Sequence, residues 1–192
     1  MEDRIQKAVE LFKSGYNCSQ SVVAAFADMY GFTQEQAVRM SASFGGGIGR
    51  MRETCGAACG LFLIAGLETG ATEATDREGK AANYAVVQEL AAEFKKRNGS
   101  LICGELLGLK KKEPISTVPE ERNTQYYSKR PCAKMVEEAA RIWVEYLEKH
   151  PKSGAKMLFY YKISKKRFNK VLYNIKITIF VPEIKSESFR AG

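Results

Sequence analysis

The segment over residues 55–67, CGAACGLFLIAGL, contains no charged side chain and would be apolar on every side of a helix. Such a helix has to be enclosed by other elements, because it has no face that favours contact with water. We therefore expect this segment to form the buried central helix of a bundle.

The segments around this helix are amphipathic. Apolar residues recur at helical spacing over residues 5–12, 22–29, 37–40, 81–94 and 135–147. A capping box formed by Thr33 and Gln36 opens the third of these helices. No segment before residue 150 alternates with period two. The predicted fold class is therefore all-α, a compact helical bundle around a buried central helix.

The excess positive charge of the chain is confined to its last part. Residues 1–150 carry 20 Lys and Arg against 20 Asp and Glu, and residues 151–192 carry 10 against 2, which accounts for the net charge of +8. The composition also changes at this point, with Lys, Ile, Tyr and Phe enriched afterwards. We predict a helical cysteine-containing redox domain over residues 1–150 and a basic C-terminal extension over residues 151–192.

Residues 171–181, VLYNIKITIFV, alternate as a strand does, which gives the extension a predicted β character. An apolar strand needs a partner, either its copy in a second subunit, which would make a homodimer, or residues 158–163. The alternative is an appendage outside the functional domain. Because the chain has no motif of a known nucleic-acid reader, we expect no specific nucleic acid as a partner.

The chain shows no sign of export or membrane insertion. Its first residues, MEDRIQKAVELF, lack the apolar core of a signal peptide, and no stretch reaches the ~18 uncharged apolar residues of a transmembrane segment. We therefore expect a cytoplasmic protein without a transmembrane segment. Its five cysteines should then be thiols, unless disulfide formation is part of the function.

Four of the five cysteines fall where a helix is predicted to begin: Cys18, Cys55, Cys103 and Cys132. The residues expected to cap or open these helices are, in the same order, Asn17 with Gln20, Thr54, Ser100 and Pro131. The positive end of a helix dipole favours the thiolate, which attacks disulfides, transfers electrons and binds metal ions. The pattern therefore predicts redox or metal chemistry on a helical scaffold.

The favoured hypothesis is a thiol-based redox protein, such as a thiol-disulfide oxidoreductase, that exchanges disulfides or electrons with a partner protein or a small thiol. Cys55 is its attacking thiolate, with a pKa lowered by the helix N-terminus and by Arg50 or Arg52, and another helix-start cysteine resolves the mixed disulfide. Cys18 is the expected close partner, because both cysteines begin helices that flank the glycine-rich run over residues 44–50. This run lacks the spacing of a phosphate-binding loop, and its glycines are expected to pass close to the cysteines or to adopt positive φ.

The alternative is a binding protein in which the four cysteines hold zinc or an iron–sulfur cluster, with the ligands Cys18, Cys55, Cys103 and Cys132. Their separations of 37, 48 and 29 residues are unlike those of a local zinc knuckle or a ferredoxin run, so only folding can gather them. A third hypothesis is a structural domain with inert, buried cysteines.

Four strings carry a resemblance to a known family: GYNCSQSVVAAF, FGGGIGRMRETCGAACG, NGSLICGELLG and PCAKMVEEAARIWVEYL. In this order they resemble the C_GCAxxG_C_C family of redox-active proteins, over residues 1–149. The resemblance implies a small helical domain, and its four characteristic cysteines fall on Cys18, Cys55, Cys103 and Cys132. Cys59 occupies a variable position of the CGAxxG motif, so no family role is carried over to it.

Deletion of residues 152–192 should leave the helical domain intact, because the predicted core ends before this extension. We expect the truncated chain to keep its helical circular dichroism signal and its thiol reactivity. Loss of folding on truncation would show that the extension completes the core and that the predicted boundary is misplaced.

Overall fold

The computed structural model describes residues 1–109 and 116–151. Eight α-helices occur in this part of the chain: α1 Glu2–Lys13, α2 Cys18–Phe26, α3 Gln34–Ser41, α4 Gly56–Thr69, α5 Arg77–Asn98, α6 Cys103–Leu106, α7 Thr124–Lys129 and α8 Cys132–Lys149. Short 3-10 turns follow α2 and α3. The described residues form no strand, and the predicted all-α class is confirmed. The predicted basic extension beyond Pro151, with its expected β character, lies outside the described residues.

Local capping chemistry sets the start of two helices. Asn17 and Gln20 form the predicted capping box, in which each side-chain oxygen accepts the backbone N–H of the other residue at 3.0 Å. Thr33 and Gln36 form the same arrangement before α3. The Asn17 side chain also donates to the carbonyl of Ala42 at 2.9 Å, which fixes the start of α2 against the end of α3.

Two helices, α4 and α2, lie at the centre of the bundle. The predicted central helix, α4, packs against α2, α5 and α8. Its partner α2 packs against α1, α3, α4 and α8, and eight of its nine residues are buried. The sequence of α2, CSQSVVAAF, is rich in small side chains, which let several helices approach it closely. The central position is therefore shared between α4 and α2.

The helices α5 and α8 pack together at one side of the bundle. Trp143 of α8 is fully buried. Arg97 of α5 forms ion pairs with Glu138 at 3.4 Å and with Glu145 at 2.5 Å, both on α8. Because partly exposed ion pairs contribute little, apolar burial supplies most of the stabilisation at this contact. None of the described helices is long and apolar enough to cross a membrane.

Gly60 marks a close contact between α4 and α2. A Cβ atom at this position would lie 2.9 Å from the Cβ of Val22 and 3.0 Å from the carbonyl oxygen of Ser19. Both distances are shorter than an ordinary contact between a Cβ atom and its neighbours. The absence of a side chain at Gly60 therefore allows the two central helices to pack at this separation.

Gly60→Ala should destabilise the protein by about 1–3 kcal/mol, because overpacking outweighs the better helix propensity of alanine. Gly66→Ala is the matched control on the same helix, since a Cβ there has no neighbour within 4 Å. This control should stabilise the protein by ~0.5–1 kcal/mol. Urea unfolding followed by circular dichroism measures both changes, and equal effects would contradict the close packing of α4 on α2.

Candidate functional site

All four predicted cysteines line one cavity of about 290 Å³. Cys18, Cys103 and Cys132 are the first residues of α2, α6 and α8, and Cys55 is the N-cap residue of α4. Four helices therefore begin at this cavity. Cys59, one turn further along α4, does not line it.

Two of the predicted helix caps are wrong. Thr54 does not cap α4, because it pairs with Ile102 in an isolated antiparallel bridge, and Cys55 is the N-cap instead. Ser100 does not cap α6 either, since Ile102 is the N-cap and the Ser100 hydroxyl accepts the Ile102 N–H at 2.9 Å. A bridge between two distant segments is a tertiary feature that neither segment reveals alone.

This bridge determines where two of the cysteines lie. The N–H of Cys55 donates to the carbonyl of Leu101 at 2.7 Å, and the N–H of Cys103 donates to the carbonyl of Glu53 at 2.6 Å. Residues next to a bridged pair project to the opposite face from that pair. Cys55 and Cys103 therefore lie on the same face, and both reach the cavity.

The glycine-rich run before α4 has a left-handed conformation. Five consecutive residues, from Gly46 to Arg50, have φ between 56° and 74°. A Cβ at Gly47 would lie 2.5 Å from the Cβ of Cys103, so this position requires glycine. Both roles predicted for the glycines, positive φ and close approach to a cysteine, are confirmed. Ile48 and Arg50 share the left-handed conformation although they carry side chains, which strains the backbone.

The thiols of Cys18 and Cys132 interact, and the hydrogen bond between them is the largest influence on the pKa of each. Cys55, the predicted close partner of Cys18, is a neighbour that acts on it electrostatically. The pair forms because α8 packs against α2, which brings the first residues of these two helices together. The thiol with the largest effect on the pKa of Cys18 thus lies on α8, and the expected proximity of Cys18 and Cys55 stays a prediction.

This hydrogen bond separates the acidities of the two thiols. It lowers the pKa of Cys132 to about 7, and the guanidinium groups of Arg130, Arg122 and Arg52 act in the same direction. The same hydrogen bond, together with burial, raises the pKa of Cys18 well above its ordinary value. Cys132 is therefore the more acidic thiol of the pair and the one that forms the thiolate near neutral pH, and Cys18 is the thiol that donates to it.

The predicted lowering of the Cys55 pKa is wrong. Burial raises the pKa of this thiol to about 12, although the backbone N–H groups of Ala58 and Ala57 favour its thiolate. Burial also raises the pKa of Cys103, against the opposing charge of Arg52. The positive end of a helix does not offset the loss of water around a buried sulfur atom.

Solvent exposure also favours Cys132 as the candidate nucleophile. It is half-buried, whereas the other four cysteines are buried. A sulfur nucleophile has to be both ionised and reachable. Cys132 meets both conditions, and the cysteine pattern in the sequence did not single it out from the other three.

Arg122 and Arg130 are cavity residues that the cysteine pattern missed. Arg122 donates to the carbonyl of Phe12 at 3.0 Å and lies over the ring of Phe12 at 4.7 Å. Arg130 lies over the ring of Tyr126 at 5.0 Å. The one local signal was the string RPC, in which Arg130 stands two residues before Cys132.

A family model described as "Putative redox-active protein (C_GCAxxG_C_C)" matches residues 16–146. The match includes the four cavity-lining cysteines and covers more than half of the chain. The chain belongs to the C_GCAxxG_C_C family. No curated protein and no solved structure matches it. The resemblance carried by the cysteine strings is confirmed.

The described residues contain no close group of metal-binding side chains. Within residues 1–109 and 116–151, no three His, Cys, Asp or Glu side chains lie close enough together to hold a metal ion. A structural zinc or a cluster needs four converging donors at bond distance. The alternative hypothesis, in which Cys18, Cys55, Cys103 and Cys132 hold zinc or an iron–sulfur cluster, stays a prediction.

Alkylation of Cys132 by iodoacetamide should have a pH midpoint of about 7, because only the thiolate reacts and its pKa is lowered. Cys18→Ala removes the main hydrogen-bond donor, so this midpoint should rise. Cys18→Ser keeps a donor at the same position and should preserve most of the lowering. Mass spectrometry of the Cys132 peptide gives the rate at each pH, and an unchanged midpoint in Cys18→Ala would contradict the role assigned to the hydrogen bond.

Proposed function

We propose that the protein carries out reversible dithiol/disulfide exchange at the pair Cys18 and Cys132, as a thiol-disulfide oxidoreductase. The observation that carries this proposal is that the two thiols line one cavity and shift each other's pKa in opposite directions. This arrangement joins a half-buried thiol of lowered pKa to a protonated partner at the same cavity, which is the pairing that dithiol/disulfide exchange needs. The description of the family as redox-active supports the same class of chemistry.

In the first step the Cys132 thiolate attacks one sulfur of a disulfide substrate. A bond between Cys132 Sγ and that sulfur forms while the substrate's own S–S bond breaks, and the second substrate sulfur leaves as a thiolate. Arg130 and Arg122 place positive charge where this negative charge moves. The products are a mixed disulfide on Cys132 and one substrate thiol.

In the second step Cys18 resolves the mixed disulfide. Formation of the mixed disulfide removes the Cys132 anion, which had raised the pKa of Cys18 through their hydrogen bond. Cys18 then loses its proton and attacks Cys132 Sγ, and the second substrate thiolate leaves. Two electrons and the Cys18 proton have passed to the substrate, water supplies the second product proton, and the protein holds a disulfide between Cys18 and Cys132. A cellular thiol reductant returns the pair to the reduced state by the reverse exchange.

Cys55 and Cys103 take no step in this exchange. Both are buried, and burial raises the pKa of each thiol, so little thiolate forms at neutral pH. A buried protonated cysteine behaves as a small, polarisable apolar side chain. We therefore assign these two residues to the cavity wall beside the reacting pair.

Reduced protein mixed with the neutral compound hydroxyethyl disulfide should lose two hydrogens and gain a disulfide between Cys18 and Cys132. Cys132→Ser should slow this reaction at least about tenfold, because the remaining thiols are mostly protonated. Cys18→Ser should stop at an adduct on Cys132. Mass spectrometry of acid-quenched samples, with peptide mapping, measures the rates and products.

Cys59→Ala is the matched control, since Cys59 does not line the cavity, and it should react at the wild-type rate. Two results would contradict the proposal. One is a disulfide that maps to a pair other than Cys18 and Cys132. The other is a Cys132→Ser variant that reacts as fast as the wild type.

A further inference from the structure

The thiol cavity has a strongly positive wall. Four arginines line it: Arg50, Arg52, Arg122 and Arg130. Among the described residues that line this cavity, none is Asp or Glu. A low-dielectric pocket with charges of one sign on its wall concentrates ligands of the opposite charge.

One carboxylate pairs with three of these arginines. Glu120 lies 3.6 Å from Arg50 and 3.9 Å from Arg52, and it also contacts Arg130. Glu120 lines a neighbouring cavity and is not among the residues that line the cavity of the thiols. Three of the four positive charges thus share a single fixed negative charge.

The fourth arginine has neutral contacts. Arg122 donates to the carbonyl of Phe12 and lies over the rings of Phe12 and Tyr126. Arg130, Arg122 and Arg52 favour the thiolate of Cys132, which adds one further negative charge at most. The cavity therefore keeps an excess of positive charge even when Cys132 is ionised.

These arginines are held in place. The side chains of Arg50, Arg52 and Arg130 are only 21%, 22% and 17% exposed. Arg50 and Arg52 also have φ of 67° and 68°, a conformation that residues with side chains rarely adopt. Grouped cations with reduced access to water are unfavourable unless an anion compensates them. Strained backbone that presents such groups to a cavity is typical of a binding site.

We infer that this positive wall binds a carboxylate of the substrate, so that the preferred substrates are small disulfides that carry carboxylate groups. The inference rests on the dithiol/disulfide exchange proposed above. The cavity volume of about 290 Å³ is at the lower end of the range for small-molecule pockets and suits a compact, flexible disulfide. Arginine forms charge-assisted hydrogen bonds with carboxylates, which place the scissile S–S bond next to Cys132.

Three linear disulfides of similar size test the inference on the full chain: dithiodipropionate with two negative charges, neutral hydroxyethyl disulfide, and cystamine with two positive charges. Each rate constant for oxidation of the reduced protein is divided by the rate constant of the same disulfide with a free reference thiol, which removes intrinsic reactivity. The normalised rate should be highest for dithiodipropionate and at least about tenfold lower for cystamine at an ionic strength of about 0.01 M, where charges are poorly screened. This difference should shrink at about 1 M.

Arg50→Gln should lower the ratio of the dithiodipropionate rate to the hydroxyethyl disulfide rate by about threefold or more. The ratio cancels any change in the amount of Cys132 thiolate, since both disulfides react with it. Arg39→Gln is the matched control, because the Arg39 side chain is 80% exposed and lies on α3, where it pairs with Glu35. This control should leave the ratio unchanged.

The outcomes separate this inference from the exchange on which it rests. Equal normalised rates for dithiodipropionate and cystamine at low ionic strength, while the protein still forms its disulfide, would overturn the carboxylate site alone. A ratio that Arg50→Gln and Arg39→Gln change equally would do the same. Failure of the reduced protein to react with any of the three disulfides would overturn the exchange and, with it, the carboxylate site.

Discussion

The close approach of α2 to α4 is the constraint on which the site depends. A Cβ at Gly56 would lie 3.2 Å from the Cβ of Cys18, and one at Gly60 would lie 2.9 Å from the Cβ of Val22. Because two residues of α4 meet α2 without side chains, the starts of both helices lie at the same cavity. α8 packs against both helices and adds its own first residue, Cys132. The meeting of the cysteines at one cavity thus depends on close contacts at glycines of α4.

The loss of water controls the acidity of these thiols more strongly than the helix dipoles do. A dipole favours a thiolate at a helix start by ~0.3–1 kcal/mol. Burial raises the pKa of Cys55 to about 12, which corresponds to roughly 4 kcal/mol against its ionisation. Cys132 is half-buried and has a thiol donor and three guanidinium groups nearby. One of four similar helix starts therefore becomes the site of a thiolate, because its neighbours compensate for its partial burial.

Features that depend on neighbouring residues in the chain could be predicted from the sequence. The capping box of Asn17 and Gln20, the all-α class and the positions of the cysteines at helix starts all follow from short patterns. The pairing of Cys18 with Cys132 arises from the packing of α8 on α2, and the pairing of Thr54 with Ile102 joins segments far apart in the chain. The order of the thiol pKa values depends on burial by the whole bundle. None of these tertiary features has a local signature.

The strained loop before α4 contributes both to the packing around the thiols and to the positive charge of their cavity. Residues with side chains at positive φ, such as Ile48, Arg50 and Arg52, each cost of order 1–3 kcal/mol. Backbone hydrogen bonds offset part of this strain, including one from the N–H of Gly49 to the carbonyl of Ser43 at 2.7 Å. The left-handed path lets the glycines pass against Cys103 and, within the same few residues, places two guanidinium groups at the cavity. One backbone conformation therefore supplies both the tight wall of the thiol cavity and part of its positive charge.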